Sequence, residues 1–146
     1  MSNGTATEKD RAREQAKCQL ESIREMVRNL RTADAARNKG AEDAEDSYEI
    51  ARQEIEEDAL SAEVREDWHT PGGDADQEYR LLLCTGGPAV QVVGDLNKYH
   101  EPETAKLQYQ EKLQYQDLFT EWTDYPLDSD EEADVITYAQ CFCFAG

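Results

Sequence analysis

The chain has 146 residues, 38% of them hydrophobic and 33% charged, with a formal net charge of −18 at neutral pH. That length suits one domain, or one small domain with an extension, and the thin apolar fraction implies a small core under a large solvated surface. A net anion of this strength argues against direct nucleic-acid binding, because it repels phosphates, and no apolar run approaches the ~20 residues of a membrane helix.

The charge is unevenly placed. Residues 1–40 carry nine Lys/Arg and six Asp/Glu, whereas residues 41–146 carry six Lys/Arg and 27 Asp/Glu. A field of that sign attracts basic protein surfaces, including those that hold nucleic acid. It also keeps a chain soluble, the plainer explanation. The opening MSNGTATEKDRAREQ has no apolar segment, so no secretory signal is expected. Cys18, Cys84, Cys141 and Cys143 lack the spacing of a disulfide scaffold, which fits free thiols in a reducing cytoplasm.

Residues 1–6 are expected to be disordered. From about Glu8, Ala16, Leu20, Ile23, Val27 and Leu30 recur at steps of four and three, the stripe of an amphipathic helix. Glu21 with Arg24 and Glu25 with Arg28 stand at pairing distance along it. Asn38-Lys39-Gly40 is a stop signal, with Gly at a plausible C′ position. A second helix is predicted from about Glu42 to Asp58 on the stripe Ala44, Tyr48, Ala51 and Ile55. Acidic residues crowd both its ends: Glu42, Asp43, Glu45 and Asp46 where the helix dipole favours them, and Glu54, Glu56, Glu57 and Asp58 where it does not. Two narrow stripes joined by a short connection predict an antiparallel helical hairpin over residues 1–58. A coiled-coil dimer is the competing use of such stripes.

Residues 59–146 are expected to form a compact α+β domain. A short strand is predicted around Ala62–Arg65, then a turn over Trp68–Gly73. Glu78–Leu96, EYRLLLCTGGPAVQVVGDL, is the densest apolar stretch and reads as a β-hairpin broken at Gly86-Gly87-Pro88. After a loop, KLQYQEKLQYQ from Lys106 keeps Leu107, Tyr109, Leu113 and Tyr115 at one parity. One long strand, or two with a bend, would set all four on one face. Leu118–Trp122 is read as its extension, and Asp124–Leu127 as its break. Ser129 or Asp130 is expected to cap a last helix over about Glu131–Tyr138, before an apolar tail, CFCFAG. The fold class is therefore α+β: a helical hairpin, a small antiparallel sheet, and a short C-terminal helix.

Sites of chemistry are sparse. Cys84 before Thr85-Gly86-Gly87 resembles a thiol beside a backbone anion nest, but its base would have to be His69 or His100, and no flanking motif supports it. Cys141 and Cys143 with Cys84 or a histidine give at most one zinc-like pair, and Cys-x-Cys in a strand suits burial on one face. Asp128-Ser129-Asp130 does not continue as a calcium loop. No metal, cofactor or catalytic residue is assigned, and the chain is expected not to be an enzyme. The basic residues of the first helix (Arg11, Arg13, Lys17, Arg24, Arg28, Arg31) are diluted by glutamates. One use for them is docking on the chain's own acidic half.

EYRLLLCTGGPAVQVVGDL, the following EPETAKLQYQ, and WTDYPL with YAQCFCF resemble a family of short bacteriophage and prophage proteins, over roughly residues 58–146. That resemblance implies the host cytoplasm and raises a counter-defence role, such as an anti-CRISPR or anti-restriction inhibitor. The expectation is a non-catalytic binder, monomer or homodimer, whose partner is a host defence protein with a basic nucleic-acid-binding surface. The residues assigned to that contact are Glu42, Asp43, Glu45, Asp46, Glu54, Glu56, Glu57, Asp58, Asp128, Asp130, Glu131, Glu132 and Asp134. Trp68 is the aromatic anchor, with Tyr48, Tyr99 and Trp122 as further candidates. The alternative is a phage assembly accessory acting through helix-mediated association.

Overall fold

A computed structural model of the chain describes residues 8–73, 75–85, 88–113, 118–119 and 121–144. The expectations for residues 1–6, for Gly86-Gly87 and for Tyr115 lie outside that set. The architecture is α+β. Helices α1 (Glu8–Asn38) and α2 (Ala44–Glu56) form a hairpin. An antiparallel sheet and helix α3 (Ser129–Gln140) follow.

Helix α1 forms because its apolar positions share one side. Ala12, Ala16, Leu20, Ile23, Val27, Leu30 and Ala33 are all buried along about 32 Å of helix. It ends as its stop signal demands. Gly40 takes φ 74°. Ala41 N–H donates to Ala36 C=O at 3.1 Å and Gly40 N–H to Arg37 C=O at 3.0 Å, closing a Schellman motif over the last free carbonyls. The turn returns α2 onto α1, burying Ala44, Ala51 and Ile55.

The main sheet has the order β1-β2-β3-β4-β7, with every neighbour antiparallel. Its strands are β1 (Ser61–Glu66), β2 (Gln77–Cys84), β3 (Ala89–Leu96), β4 (Lys106–Gln110) and β7 (Thr123–Tyr125). The register sets Ala62, Leu81, Val92, Leu107 and Tyr125 in one row across all five strands. Leu81, Val92 and Leu107 are wholly buried there, each stabilising by about 1.5–3 kcal/mol. Helix α1 lies against β3, β4 and β7 and also against α3, so the segments 1–58 and 59–146 share one core. The tail closes its end: the Tyr79 and Phe144 rings lie 5.1 Å apart and those of Tyr138 and Phe142 5.4 Å apart.

The duplicated KLQYQ departs from the expected long strand. Gln110 pairs with Ala89, the first residue of β3. A strand continuing past it would have no ladder partner, and unpaired strand backbone is costly. The chain instead makes a separate ribbon of β5 (Lys112–Leu113) and β6 (Leu118–Phe119). Leu118–Phe119 thus does not extend the strand, and Asp124-Tyr125, read as a break, supplies the edge strand β7. The cap of α3 is Asp128 rather than Ser129 or Asp130. Its carboxylate accepts from Glu131 N–H at 2.8 Å and the Glu131 carboxylate accepts from Asp128 N–H at 2.9 Å, a capping box.

Candidate functional site

The densest anionic element is α2 with the turn before it. Glu42, Asp43, Glu45, Asp46, Glu49, Glu54, Glu56 and Glu57 are all exposed, and Arg52 is the single base among them. The buried stripe of α2 fixes this arrangement: with Ala44, Ala51 and Ile55 held against α1, the remaining positions face water. Asp43 stands at the helix start with φ 60° but makes no side-chain cap, so its carboxylate is not spent on the helix end. Glu45 lies 3.8 Å from Arg37, whose guanidinium sits 3.7 Å over the Tyr48 ring. Arg52 meets Glu56 at 3.2 Å. Hydrogen bonds to Tyr48 and Glu56 raise the Arg52 pKa. Ile50 is 58% exposed on the same helix, an apolar group set among carboxylates.

The third acidic run is largely occupied by the fold. Asp134 is only 7% exposed and accepts from Arg24 Nε at 2.8 Å and Arg31 Nη1 at 2.5 Å. It is therefore withdrawn from the partner-facing residues: it faces inward because two arginines one heptad apart on α1 reach it from the same side. Its hydrogen bond raises the pKa of Arg24. Glu131, half-buried, is held in the capping box and lies 3.8 Å from Arg24. Asp128 serves as the cap. Asp58, half-buried, accepts from the Tyr138 hydroxyl at 2.7 Å. Asp130 and Glu132 remain exposed, on a different helix from the first two runs. The docking of the basic helix on the chain's own acidic half is thus realised at Arg24 and Arg31, while the expected Glu21–Arg24 partnership gives way to Asp134.

The aromatic candidates separate in the same way. Trp68 stands fully exposed just beyond β1, and Tyr99 is 66% exposed in the loop after β3. Tyr48 is half-buried under Arg37. Trp122 is half-buried and borders a trough of about 820 Å³ on the outer face of the sheet, with Arg80, Gln91, Val93 and Lys106. Sequence reading missed that face. Its Gln91 Nε2 donates to Gln108 Oε1 at 2.8 Å, and Gln108 Nε2 donates to Asp124 Oδ1 at 2.8 Å. The period-two alternation of β3 and β4 was the available signal.

The cysteines do not assemble a reactive centre. Burial pushes the Cys84 thiol up, away from the thiolate. His100 bonds Gln77, at the far end of β2 from Cys84, a strand length of about 23 Å. The expected shared face of Cys141 and Cys143 is not found: the chain has left α3 in a turn there, so Cys141 is buried and Cys143 exposed. Among the described residues no three His, Cys, Asp or Glu side chains converge as a metal site requires, and no helix is long and apolar enough to cross a membrane. Compared with protein-family models, with curated proteins and with solved structures, the chain matches none, so the phage resemblance rests on the quoted segments alone.

Proposed function

We propose that the chain is a phage-encoded, non-catalytic acidic inhibitor that occupies a basic nucleic-acid-binding surface of a host defence complex, in the host cytoplasm. The observation that carries this reading is α2 with its two ends, where residues 42–57 present eight exposed carboxylates, five of them on the helix itself, against one Arg52. Charges at that density attract a Lys/Arg groove built for phosphates and speed the encounter. Affinity needs a desolvated anchor as well. Ile50, among the carboxylates, is placed to supply it, with Trp68 as a second contact.

The alternative of helix-mediated assembly has less to work with. The stripe of α1 is already consumed within the chain's own core. The test is a charge-reversed variant, Glu45→Lys, Asp46→Lys, Glu49→Lys and Glu54→Lys together, compared with the wild type for inhibition of nucleic-acid binding by the captured host target. Inhibition is expected to fall by at least about a hundredfold while far-UV circular dichroism is unchanged. Equal inhibition by both proteins would remove the reading.

A further inference from the structure

Strand β1 ends the sheet order and is paired on one side only. Five of its six residues are exposed, including Val64 at 42%. Sheet edges of soluble proteins are commonly blunted by proline, by a bulge, by a covering segment or by charged side chains, and of these β1 has only the charges of Glu63, Arg65 and Glu66, which are of both signs. Ser-Ala-Glu-Val-Arg-Glu contains no proline and pairs with β2 in unbroken register. Among the described residues no strand pairs with its outer side.

The hydrogen-bonding direction along β1 follows from its end. Asp67 N–H donates to Asp76 C=O at 2.9 Å, in line with the register of the strand. Alternation then turns the peptide groups of Arg65 and Glu63 toward β2, and those of Ala62, Val64 and Glu66 outward. Three N–H and C=O sets thus face away from β2, on a side where no strand of the described residues pairs with them.

We propose that this edge pairs antiparallel with β1 of a second copy, about a twofold axis through Val64, to make one sheet continuous across a homodimer. The charge sequence selects that register. An axis through Glu63 would set Glu63 against its own copy. An axis through Arg65 would set Arg65 against its copy and Glu63 against Asp67. Within each copy Glu63 is already bound by Arg80 and Arg65 by Glu78, both on β2. With the axis at Val64, Glu63 of each copy faces Arg65 of the other, so the row Arg80, Glu63, Arg65, Glu78 alternates in sign across the junction, and the two Val64 side chains meet on the opposite face. The outward peptide groups agree: Val64 forms the hydrogen-bonded central pair, so Glu63 and Arg65 fall in the closer, non-hydrogen-bonded positions, about 4.5 Å apart at Cα, where opposite charges help most. The net charge of −18 per copy opposes association. It is screened beyond about 8 Å at physiological salt, whereas pairs in contact are screened less. The dimer is therefore a weak one, with a dissociation constant in the micromolar range. The edge lies on a different element from the carboxylates of α2, so this proposal and the inhibitor reading stand or fall separately.

Sedimentation velocity of the full chain across the micromolar to submillimolar range tests it. The wild type is expected to pass from monomer to dimer. Glu63→Arg sets two arginines face to face on each side of the axis, and Arg65→Glu sets two glutamates. Each variant alone is expected to raise the dissociation constant at least about tenfold. An equimolar mixture restores opposite charges at both positions and is expected to form a heterodimer close to wild-type strength. Val64→Pro removes an outward N–H and no bond to β2, so it is expected to stay folded and become monomeric. A wild type that is monomeric throughout overturns the proposal. So does a dimer that survives Val64→Pro, or a mixture of folded variants that forms no heterodimer.

Discussion

Two tyrosines show how single side chains join the helices to the sheet. Tyr79 donates to Thr104 C=O at 2.6 Å and Tyr138 to Asp58 Oδ2 at 2.7 Å, both from positions almost closed to solvent. Burial raises both phenol pKa values well above the ordinary 10.0, with Asp95 and Glu132 adding to the effect at Tyr79, and Asp58 at Tyr138. The unfolded chain loses both protons near pH 10 while the folded chain keeps them. Their contribution is therefore complete below pH 10 and is lost as pH rises beyond it, by about 1.4 kcal/mol per pH unit per tyrosine. Urea unfolding at a series of alkaline pH values is expected to show this fall, and Tyr138→Phe to remove about half of it, at a cost near 1 kcal/mol at neutral pH. An unchanged slope would mean that Tyr138 ionises within the fold. Neither role was legible in the sequence, because Tyr79 between Glu78 and Arg80 reads equally well as surface, and nothing along the chain ties Tyr138 to Asp58. Asp134 was hidden for the same reason: in an acidic run it looks like its neighbours, and only the place of α1 reveals which carboxylate meets Arg24 and Arg31.

At the level of elements, the helical hairpin, the β2–β3 hairpin and α3 were legible because periodicity, Gly40 and the acidic first turn of α3 all pointed to one answer, although the cap itself lies at Asp128 and not at Ser129 or Asp130. The path after Gln110 was not, since a repeat with the parity of a strand does not say where its partner strand ends. The same dependence on neighbours explains Gly94. It faces Tyr79 across β2 and β3, and a Cβ built there would lie 2.0 Å from Thr104 C=O and 2.8 Å from the Tyr79 ring. The carbonyl that accepts from Tyr79 is thus the atom a larger residue would strike. Gly94→Ala is expected to destabilise by about 1–3 kcal/mol, because backbone must move to admit the methyl group. Chemical denaturation measures it, and a loss below 0.5 kcal/mol would show that the loop after β3 yields freely.

On the scale of the whole molecule, the sequence displayed the charge asymmetry but not its layout. Fold geometry divides the acidic residues into those spent on structure, at Asp58, Asp128, Glu131 and Asp134, and those left in solvent along α2. The second group repels itself, and expansion on unfolding relieves that repulsion, so it weighs against the native state. Salt should therefore stabilise this protein. Raising sodium chloride from about 20 mM to 500 mM shortens the screening length from about 20 Å to about 4 Å. Repulsion among carboxylates spread along α2 then largely disappears, while the direct contacts of Arg24 and Arg31 with the nearly buried Asp134 are screened less. The urea midpoint is expected to rise with salt, by on the order of 1 kcal/mol or about 3 °C in thermal midpoint, at constant denaturant slope. Val64→Pro is the form to measure, so that association along β1 does not enter. Sodium sulfate stabilises most proteins through exclusion from their surface, so chloride at these concentrations is the discriminating salt. A midpoint that falls would mean that local ion pairs outweigh collective repulsion, and that the carboxylates of α2 and its ends are less crowded than eight over residues 42–57 implies.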